Sequence, residues 1–257
     1  RVIKYRGSGY ESNEYPFLIT DKGIHFNPIS DFELDYAPPS QRISSGIPCL
    51  DEIMNGGFKN GSCILLSGST GTGKTAFAST FAHTSCGKGQ RVVYVNYEES
   101  PASMMSGMLN IGIDLQPATQ NALLRIMSTM PESMGIEEHL FKIINVVKAF
   151  QPHSVIVDAI SACKRIAGER ASYDFIMRLV YFCRDKGITV LLINQASSAG
   201  TDDFYSGVGI SSFIDTIISL RFKDIEDETI RLLHVIKSRG SNHSNKFHKY
   251  CITGNGL

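Results

Sequence analysis

Tryptophan is absent from this sequence, and so is any excess of charge, because 25 basic side chains are balanced by 25 acidic ones. A protein that neutralises several phosphates of a nucleic acid usually carries a basic excess or a basic face. The balanced charge weighs against constitutive binding to DNA or RNA. We therefore expect no nucleic-acid partner.

Long apolar runs and closely spaced cysteines are also missing. The sequence contains no apolar stretch of the length that spans a bilayer, and we expect no secretion signal. The six cysteines are far apart, and several stand in apolar runs, where cysteine behaves as a small hydrophobe. We expect a cytoplasmic protein with no membrane partner and no metal other than Mg²⁺ on a nucleotide.

The sequence is organised around a glycine-rich stretch that matches the P-loop pattern G-x-x-x-x-G-K-[ST] at every position: Gly68, Ser69, Thr70, Gly71, Thr72, Gly73, Lys74 and Thr75. An apolar run precedes it and a segment of helical composition follows it, which is the context of a phosphate-binding loop. Backbone N–H groups and the helix N-terminus would bind the phosphates. Lys74 is predicted to reach the β- and γ-phosphates, and Thr75 to bind Mg²⁺. The sequence therefore predicts a nucleoside-triphosphate site.

Apolar strands alternate with helical segments after the P-loop, and strands alone follow near the C-terminus. Predicted strands lie at 64–66, 91–97, 123–127, 154–158, 188–193, 214–222 and 230–236, and helices at 76–82, from 101, at 137–150 and at 173–185. This order predicts an α/β fold with a mostly parallel sheet, helices on both faces and antiparallel C-terminal strands. Right-handed crossovers would bring the P-loop, Glu98, Asp158 and Gln195 to one edge.

Three carboxylates follow predicted strands. Asp158 ends an apolar strand, the Walker B arrangement, and would help to hold Mg²⁺, although aspartate at this place is often only a helix cap. Glu98 and Glu99 end another strand, where successive side chains point to opposite sides. We predict that Glu98 faces the γ-phosphate as the base, close to Mg²⁺, and that Glu99 tunes it or meets a neighbouring subunit. The alternative is a solvated acidic strand end.

The two ends of the chain resemble each other. When residues 2–24 are set against 235–257, nine of 23 positions are identical. We interpret residues 1–26 as the closing strands of a preceding copy, residues 27–40 as a linker rich in proline and acidic residues, and residues 41–257 as one complete domain.

Together these motifs resemble the KaiC family of RecA-like P-loop ATPases. The resemblance rests on the P-loop, the Asp158 strand, and the stretches 14–17 (EYPF), 97–100 (YEES) and 237–241 (KSRGS). It implies two tandem domains, stacked homohexameric rings and ATP between neighbouring subunits. It also implies that Lys237 and Arg239 act on the γ-phosphate of the next subunit, as Lys4 and Arg6 would in the first copy.

The resemblance further implies autophosphorylation and autodephosphorylation. Ser211 and Ser212 match the acceptor positions, with Ser212 where the family has threonine, and Ser206 matches a nearby assisting threonine. A role in circadian-type timing or signalling follows, with KaiA- and KaiB-type regulators as possible partners.

Two other functions fit part of the pattern. A recombinase that forms an ATP-switched filament would contact DNA after the Asp158 and Gln195 strands, and Lys164, Arg165 and Arg170 suit that role. The second of these segments, 196–209, is acidic, which is the wrong sign for DNA. The other alternative is a scaffold that binds ATP only to hold a ring together, although the glutamate at position 98 argues against it.

Overall fold

The computed structural model describes residues 17–20, 23–26, 41–196 and 212–257. The predicted linker at 27–40 lies outside this part of the chain, as do Lys4, Arg6, Ser206 and Ser211. The described part of the first segment is a hairpin of two antiparallel strands. None of the helices in the described ranges is both long and apolar enough to cross a bilayer. All six cysteines are free thiols, and four of them are buried.

The strands, in chain order, are Phe17–Thr20 (β1), Gly23–Phe26 (β2), Arg42–Ile43 (β3), Phe58–Lys59 (β4), Cys63–Gly68 (β5), Val92–Asn96 (β6), Leu124–Ser128 (β7), Ser154–Asp158 (β8), Thr189–Gln195 (β9), Thr216–Ile225 (β10), Glu228–Ser238 (β11) and His248–Tyr250 (β12). Eight of them form one sheet in the order β12-β11-β10-β5-β9-β8-β6-β7. The six neighbouring strands β10, β5, β9, β8, β6 and β7 are parallel to one another. Strands β11 and β12 extend the sheet beyond β10 by antiparallel pairing. The predicted α/β architecture is confirmed; β12 was not foreseen.

The helices are Pro48–Ile53 (α1), Lys74–Gly87 (α2), Pro101–Leu109 (α3), Gln116–Gln120 (α4), Ile136–Phe150 (α5) and Ser161–Asp185 (α6), with a 3-10 turn at Pro131–Ser133. The predicted helix at 173–185 is only the second part of α6. Gly168 interrupts α6 with a non-helical backbone, φ 76° and ψ −178°. The first part lacks a clear apolar period, so the sequence did not reveal it.

Helices cover both faces of the sheet. Alternate residues of β6 show the division, since Val93 and Val95 join the core beneath α5 and α6, whereas Val92 and Tyr94 join the core beneath α2. Burial on both faces explains why the parallel strands are continuous apolar runs. The polar ends of these strands are therefore the places where the sheet can carry chemistry.

Candidate active site

The carboxyl ends of the parallel strands meet at one edge of the sheet, as the crossovers predicted. In the register of the sheet, Gly68 pairs with Gln195 and Asn96 pairs with Asp158. A cleft of about 400 Å³ opens at this edge. Its lining consists of Thr70, Gly71, Gly73, Lys74, Thr75, Ala76, Glu98, Gly107, Met108, Ile111, Asp158, Gln195 and Ile252.

Glycine is required in the P-loop for two separate reasons. Gly73, the N-cap of α2, has φ 93°, and a Cβ there would lie 2.5 Å from Ile252 Cδ1. Gly68 has an ordinary φ, but a Cβ there would lie 2.7 Å from the Leu220 carbonyl oxygen. A side chain at either position would therefore crowd the protein atoms that surround the loop. The N-terminus of α2, which runs for 14 residues, faces the same cleft and favours an anion.

Lys74 lies at the entrance to α2, and its Nζ donates to the Ser69 carbonyl oxygen at 2.8 Å. Burial lowers the pKa of Lys74, and the negative charges of Asp158 and Glu98 partly offset this shift. A half-buried ammonium beside two carboxylates is suited to bind a third anionic group, such as a terminal phosphate.

Thr75 and Asp158 meet across the cleft. The Thr75 hydroxyl donates to Asp158 Oδ2 at 2.9 Å, and the Tyr94 hydroxyl donates to the same oxygen at 2.8 Å. Burial raises the pKa of Asp158, the two hydrogen bonds lower it, Glu98 raises it and Lys74 lowers it. A hydroxyl and a carboxylate at hydrogen-bond distance are the hard oxygen donors that Mg²⁺ uses beside nucleotide phosphates. These residues therefore fit a magnesium ion.

Glu98 and Glu99 have different surroundings. The side chain of Glu98 lines the cleft, whereas Glu99 Oε2 accepts from the Ser103 hydroxyl at 2.8 Å on the exposed start of α3. Ser100 caps that helix by accepting from the Ser103 backbone N–H at 3.2 Å. As expected for consecutive residues at a strand end, the two side chains point in different directions, and Glu98 is the one on the cleft side.

Several neighbours of the P-loop come from distant parts of the chain and were not predicted. The Tyr250 hydroxyl donates to the Thr72 carbonyl oxygen. Arg231 Nε donates to the Gly71 carbonyl oxygen at 3.4 Å, and its guanidinium lies 5.4 Å from the centre of the Phe222 ring. No local sequence motif predicts these contacts. The one usable signal is the pairing of a cation with an aromatic ring on adjacent strands, which is common in sheets.

Lys237 and Arg239 lie at the opposite edge of the sheet. Lys237 Nζ donates to the Ile214 carbonyl oxygen at 2.7 Å, and Arg239 donates to the Ser212 carbonyl oxygen at 2.7 Å. Burial lowers the pKa of Lys237, as does Arg239, while Asp215 raises it. Ser212 is exposed at this edge. The predicted residues Ser212, Lys237 and Arg239 therefore lie together, and they are far from the P-loop of the same subunit.

The sequence of this domain matches a known family over most of its length. The model of the family described as ATPase: KaiC matches residues 43–257. This chain belongs to the KaiC ATPase family. Membership in the KaiC family agrees with the ATP cleft and with the sheet described above, and it supports nucleotide binding and ATPase activity.

Individual KaiC proteins are similar to the whole chain. The circadian clock protein KaiC2 of Synechocystis is 38% identical over 259 residues, which is 100% of this chain and 46% of the relative. The KaiC clock oscillator proteins of Acaryochloris marina and Parathermosynechococcus lividus are 35% and 36% identical, over 99% and 100% of this chain and 49% and 47% of theirs. The chain thus spans about half the length of the curated relatives it matches.

The basic residues that suggested a DNA-binding filament are in α6. Lys164 Nζ lies 3.7 Å from Glu169 Oε1, and Arg165 Nε lies 3.7 Å from Glu132 Oε1. The helix α6 begins at Ser161, almost directly after β8 ends at Asp158, where a DNA-contacting loop would be needed. The second predicted DNA contact, at 196–209, lies almost wholly outside the described residues.

Proposed function

We propose that this protein hydrolyses ATP at an interface between identical subunits and transfers phosphate to a serine of the neighbouring subunit. The observation that carries the proposal is the separation of two groups on opposite edges of one sheet. The P-loop and Glu98 are at one edge, whereas Ser212, Lys237 and Arg239 are at the other.

The first step of this reasoning is distance. Hydrogen bonds link Arg239 to Asp215 and Asp215 to Cys63, which begins β5, whereas the P-loop follows the end of β5. The six residues of β5 span about 16 Å at the usual rise per residue. This distance is longer than an arginine side chain. Arg239 would therefore act on the nucleotide of another subunit, where a cation can stabilise charge in phosphoryl transfer.

The second step concerns the groups in the cleft. Lys74 and the P-loop amides would bind the phosphates, and Thr75 and Asp158 would hold Mg²⁺, which neutralises charge on the β- and γ-phosphates when bound. Glu98 would accept the proton of the attacking oxygen. If that oxygen belongs to water, the result is ADP and phosphate, and if it belongs to a serine hydroxyl, the γ-phosphoryl group moves to the protein.

The third step concerns the acceptor. Ser212 is at the edge that would face a neighbour, and Arg239 binds its carbonyl oxygen. The same residue that would reach a neighbour's phosphate therefore also holds the acceptor segment. A closed ring would give every subunit one such interface. We propose a hexameric ring because of the resemblance to the KaiC family, and a role in circadian-type timing because the relatives are circadian clock proteins. KaiA- and KaiB-type regulators stay a prediction.

The proton-accepting role is tested by comparing Glu98→Gln with Glu99→Gln. After incubation with Mg-ATP, intact-mass spectrometry should detect an added phosphoryl group in the wild type and in Glu99→Gln but not in Glu98→Gln, and peptide fragmentation should assign it to a serine. General-base catalysis typically contributes 10²- to 10⁴-fold, so ATP hydrolysis by Glu98→Gln should fall by at least about a hundredfold. Equal effects of the two substitutions would contradict the assignment.

Transfer between subunits is tested by mixing two inactive variants. Lys74→Ala keeps the serines but lacks the phosphate-binding lysine, whereas Ser211→Ala/Ser212→Ala keeps the P-loop but lacks the acceptors. Neither variant alone should become phosphorylated. In mixed rings, phosphate should appear on the Lys74→Ala chains, identified by a mass tag. Mixed rings without phosphate on those chains would refute transfer between subunits.

A further inference from the structure

Strand β6 is buried along its whole length, yet it carries two large polar residues next to the candidate site. All five residues from Val92 to Asn96 are buried, yet Tyr94 and Asn96 are among them. Because alternate residues of a strand share one face, these two side chains point to the same side of the sheet. Neither belongs to the P-loop or to the carboxylates of the site, and neither is explained by core packing alone.

The Tyr94 hydroxyl is directed at the carboxylate that would hold Mg²⁺. Tyr94 is 0% exposed, and its hydroxyl donates to Asp158 Oδ2 at 2.8 Å. Thr75 donates to the same oxygen at 2.9 Å. Two donors occupy the lone pairs of Oδ2 and leave Oδ1 available. The tyrosine thus selects one orientation of the carboxylate and compensates its burial.

The Asn96 side chain fixes the turn that carries the glutamates. Asn96 is 2% exposed, and its Oδ1 accepts from the Glu98 backbone N–H at 2.9 Å and from the Glu99 backbone N–H at 3.3 Å. Its Nδ2 contacts Met104 Sδ at 3.5 Å. An asparagine that accepts from the amide two residues later stabilises a turn. Asn96 therefore determines where the backbone of Glu98 enters the cleft.

We propose that β6 is a positioning strand for both carboxylates of the site, with Tyr94 orienting Asp158 and Asn96 orienting Glu98. This inference rests on the proposed ATPase function. The two residues act on different carboxylates, so their loss should affect different steps. Loss of the tyrosine hydroxyl should weaken Mg²⁺ binding, and loss of the asparagine oxygen should slow catalysis at unchanged nucleotide affinity.

The first part is tested with Tyr94→Phe, which keeps the ring in the core and removes only the hydroxyl. Binding of a fluorescent ATP analogue is titrated with Mg²⁺. The Mg²⁺ concentration for half-maximal effect should rise about tenfold, within the range typical of residues that hold a metal ligand in place. Affinity measured in EDTA should not change. Tyr97→Phe is the matched control, because the buried Tyr97 hydroxyl has no hydrogen-bond partner within the described part of the chain.

The second part is tested with Asn96→Ala and Asn96→Ser, which differ by one oxygen atom. In Asn96→Ala, kcat should fall about tenfold while the affinity for the ATP analogue changes less than twofold. Asn96→Ser should recover part of kcat, since a serine hydroxyl can also accept from the amide two residues later. A thermal unfolding midpoint is recorded for each variant.

The outcomes separate this inference from the proposed function. An unchanged Mg²⁺ requirement in Tyr94→Phe, or equal kcat values in Asn96→Ala and Asn96→Ser, would overturn the positioning role. Parallel losses of kcat, Mg²⁺ affinity and thermal midpoint in Tyr94→Phe and Asn96→Ala would also overturn it, because they indicate a purely structural effect. A wild type that binds the analogue with Mg²⁺ but hydrolyses no ATP would instead refute the proposed function, and the Mg²⁺ titration would still test Tyr94.

Discussion

Asp215 joins three parts of the edge that carries Ser212, and its removal should destabilise the whole domain. Its Oδ2 accepts from the Arg184 guanidinium at 2.7 Å and from the Cys63 backbone N–H at 2.9 Å. Arg239 NH1 lies 3.8 Å from Asp215 Oδ1. Substitution by alanine removes the carboxylate from all of them without changing the backbone.

The size of the effect follows from burial. Removing one partner of a buried ion pair typically costs about 3–5 kcal/mol, and a buried N–H that loses its acceptor costs about 1–3 kcal/mol. The two costs are not added here, because the same carboxylate oxygen accepts both hydrogen bonds. The Arg184 side chain is 7% exposed and that of Asp215 is 17% exposed, so water can replace part of the loss. The pair with Arg239, which is 52% exposed, adds little. We expect Asp215→Ala to lower the free energy of unfolding by about 3 kcal/mol.

Urea denaturation at one fixed protein concentration, without nucleotide, measures this difference as a shift of the midpoint at unchanged slope. Asp215→Asn keeps an acceptor oxygen but not the charge that balances Arg184, so it should be less destabilising than Asp215→Ala by about 1 kcal/mol. Asp224→Ala is the control, because this exposed residue of β10 binds only the Thr229 hydroxyl, at 2.6 Å, among the hydrogen bonds described; it should change stability by about 0.5 kcal/mol or less. A loss below about 1 kcal/mol in Asp215→Ala would refute the reasoning.

Two further predictions concern the cleft. Gly73→Ala should lower the affinity for the ATP analogue at least tenfold, because φ is positive at this position and the new Cβ would collide with Ile252. Gly89→Ala is the control: its φ is also positive, but a Cβ there would have nothing within 4 Å. It should cost about 1–2 kcal/mol of stability and leave the affinity unchanged. Asp158→Asn should be more stable than the wild type at pH 7 in EDTA without nucleotide. Burial raises the pKa of Asp158, so the folded wild type binds more protons than the unfolded chain between the normal and the raised pKa, and its stability falls as pH rises through that interval. In urea titrations, the gain in stability of Asp158→Asn over the wild type should shrink as pH falls toward 3.8. If Asp158→Asn is no more stable than the wild type at pH 7, the raised pKa of Asp158 is contradicted.

Most of the fold was predictable because its signals are local. Apolar runs located all six parallel strands, their polar ends located the carboxyl edge, and the P-loop pattern located the start of α2. The first part of α6 and strand β12 were missed because short segments of mixed polarity carry no clear period. The family resemblance, drawn from the P-loop, the Asp158 strand and the stretches at 97–100 and 237–241, is confirmed by the match over residues 43–257.

By itself, the sequence determined that a triphosphate-binding loop stands between a buried strand and a helix, with carboxylates at the ends of neighbouring strands. These features depend on residues that are adjacent in the chain, and backbone geometry translates them directly into structure. Only the tertiary structure decided that Tyr94 binds Asp158, that Arg231 and Ile252 border the P-loop, and that Ser212 and Arg239 lie at the far edge. Those contacts join residues distant in sequence, and they arise only when strand order and register are set by packing of the whole sheet.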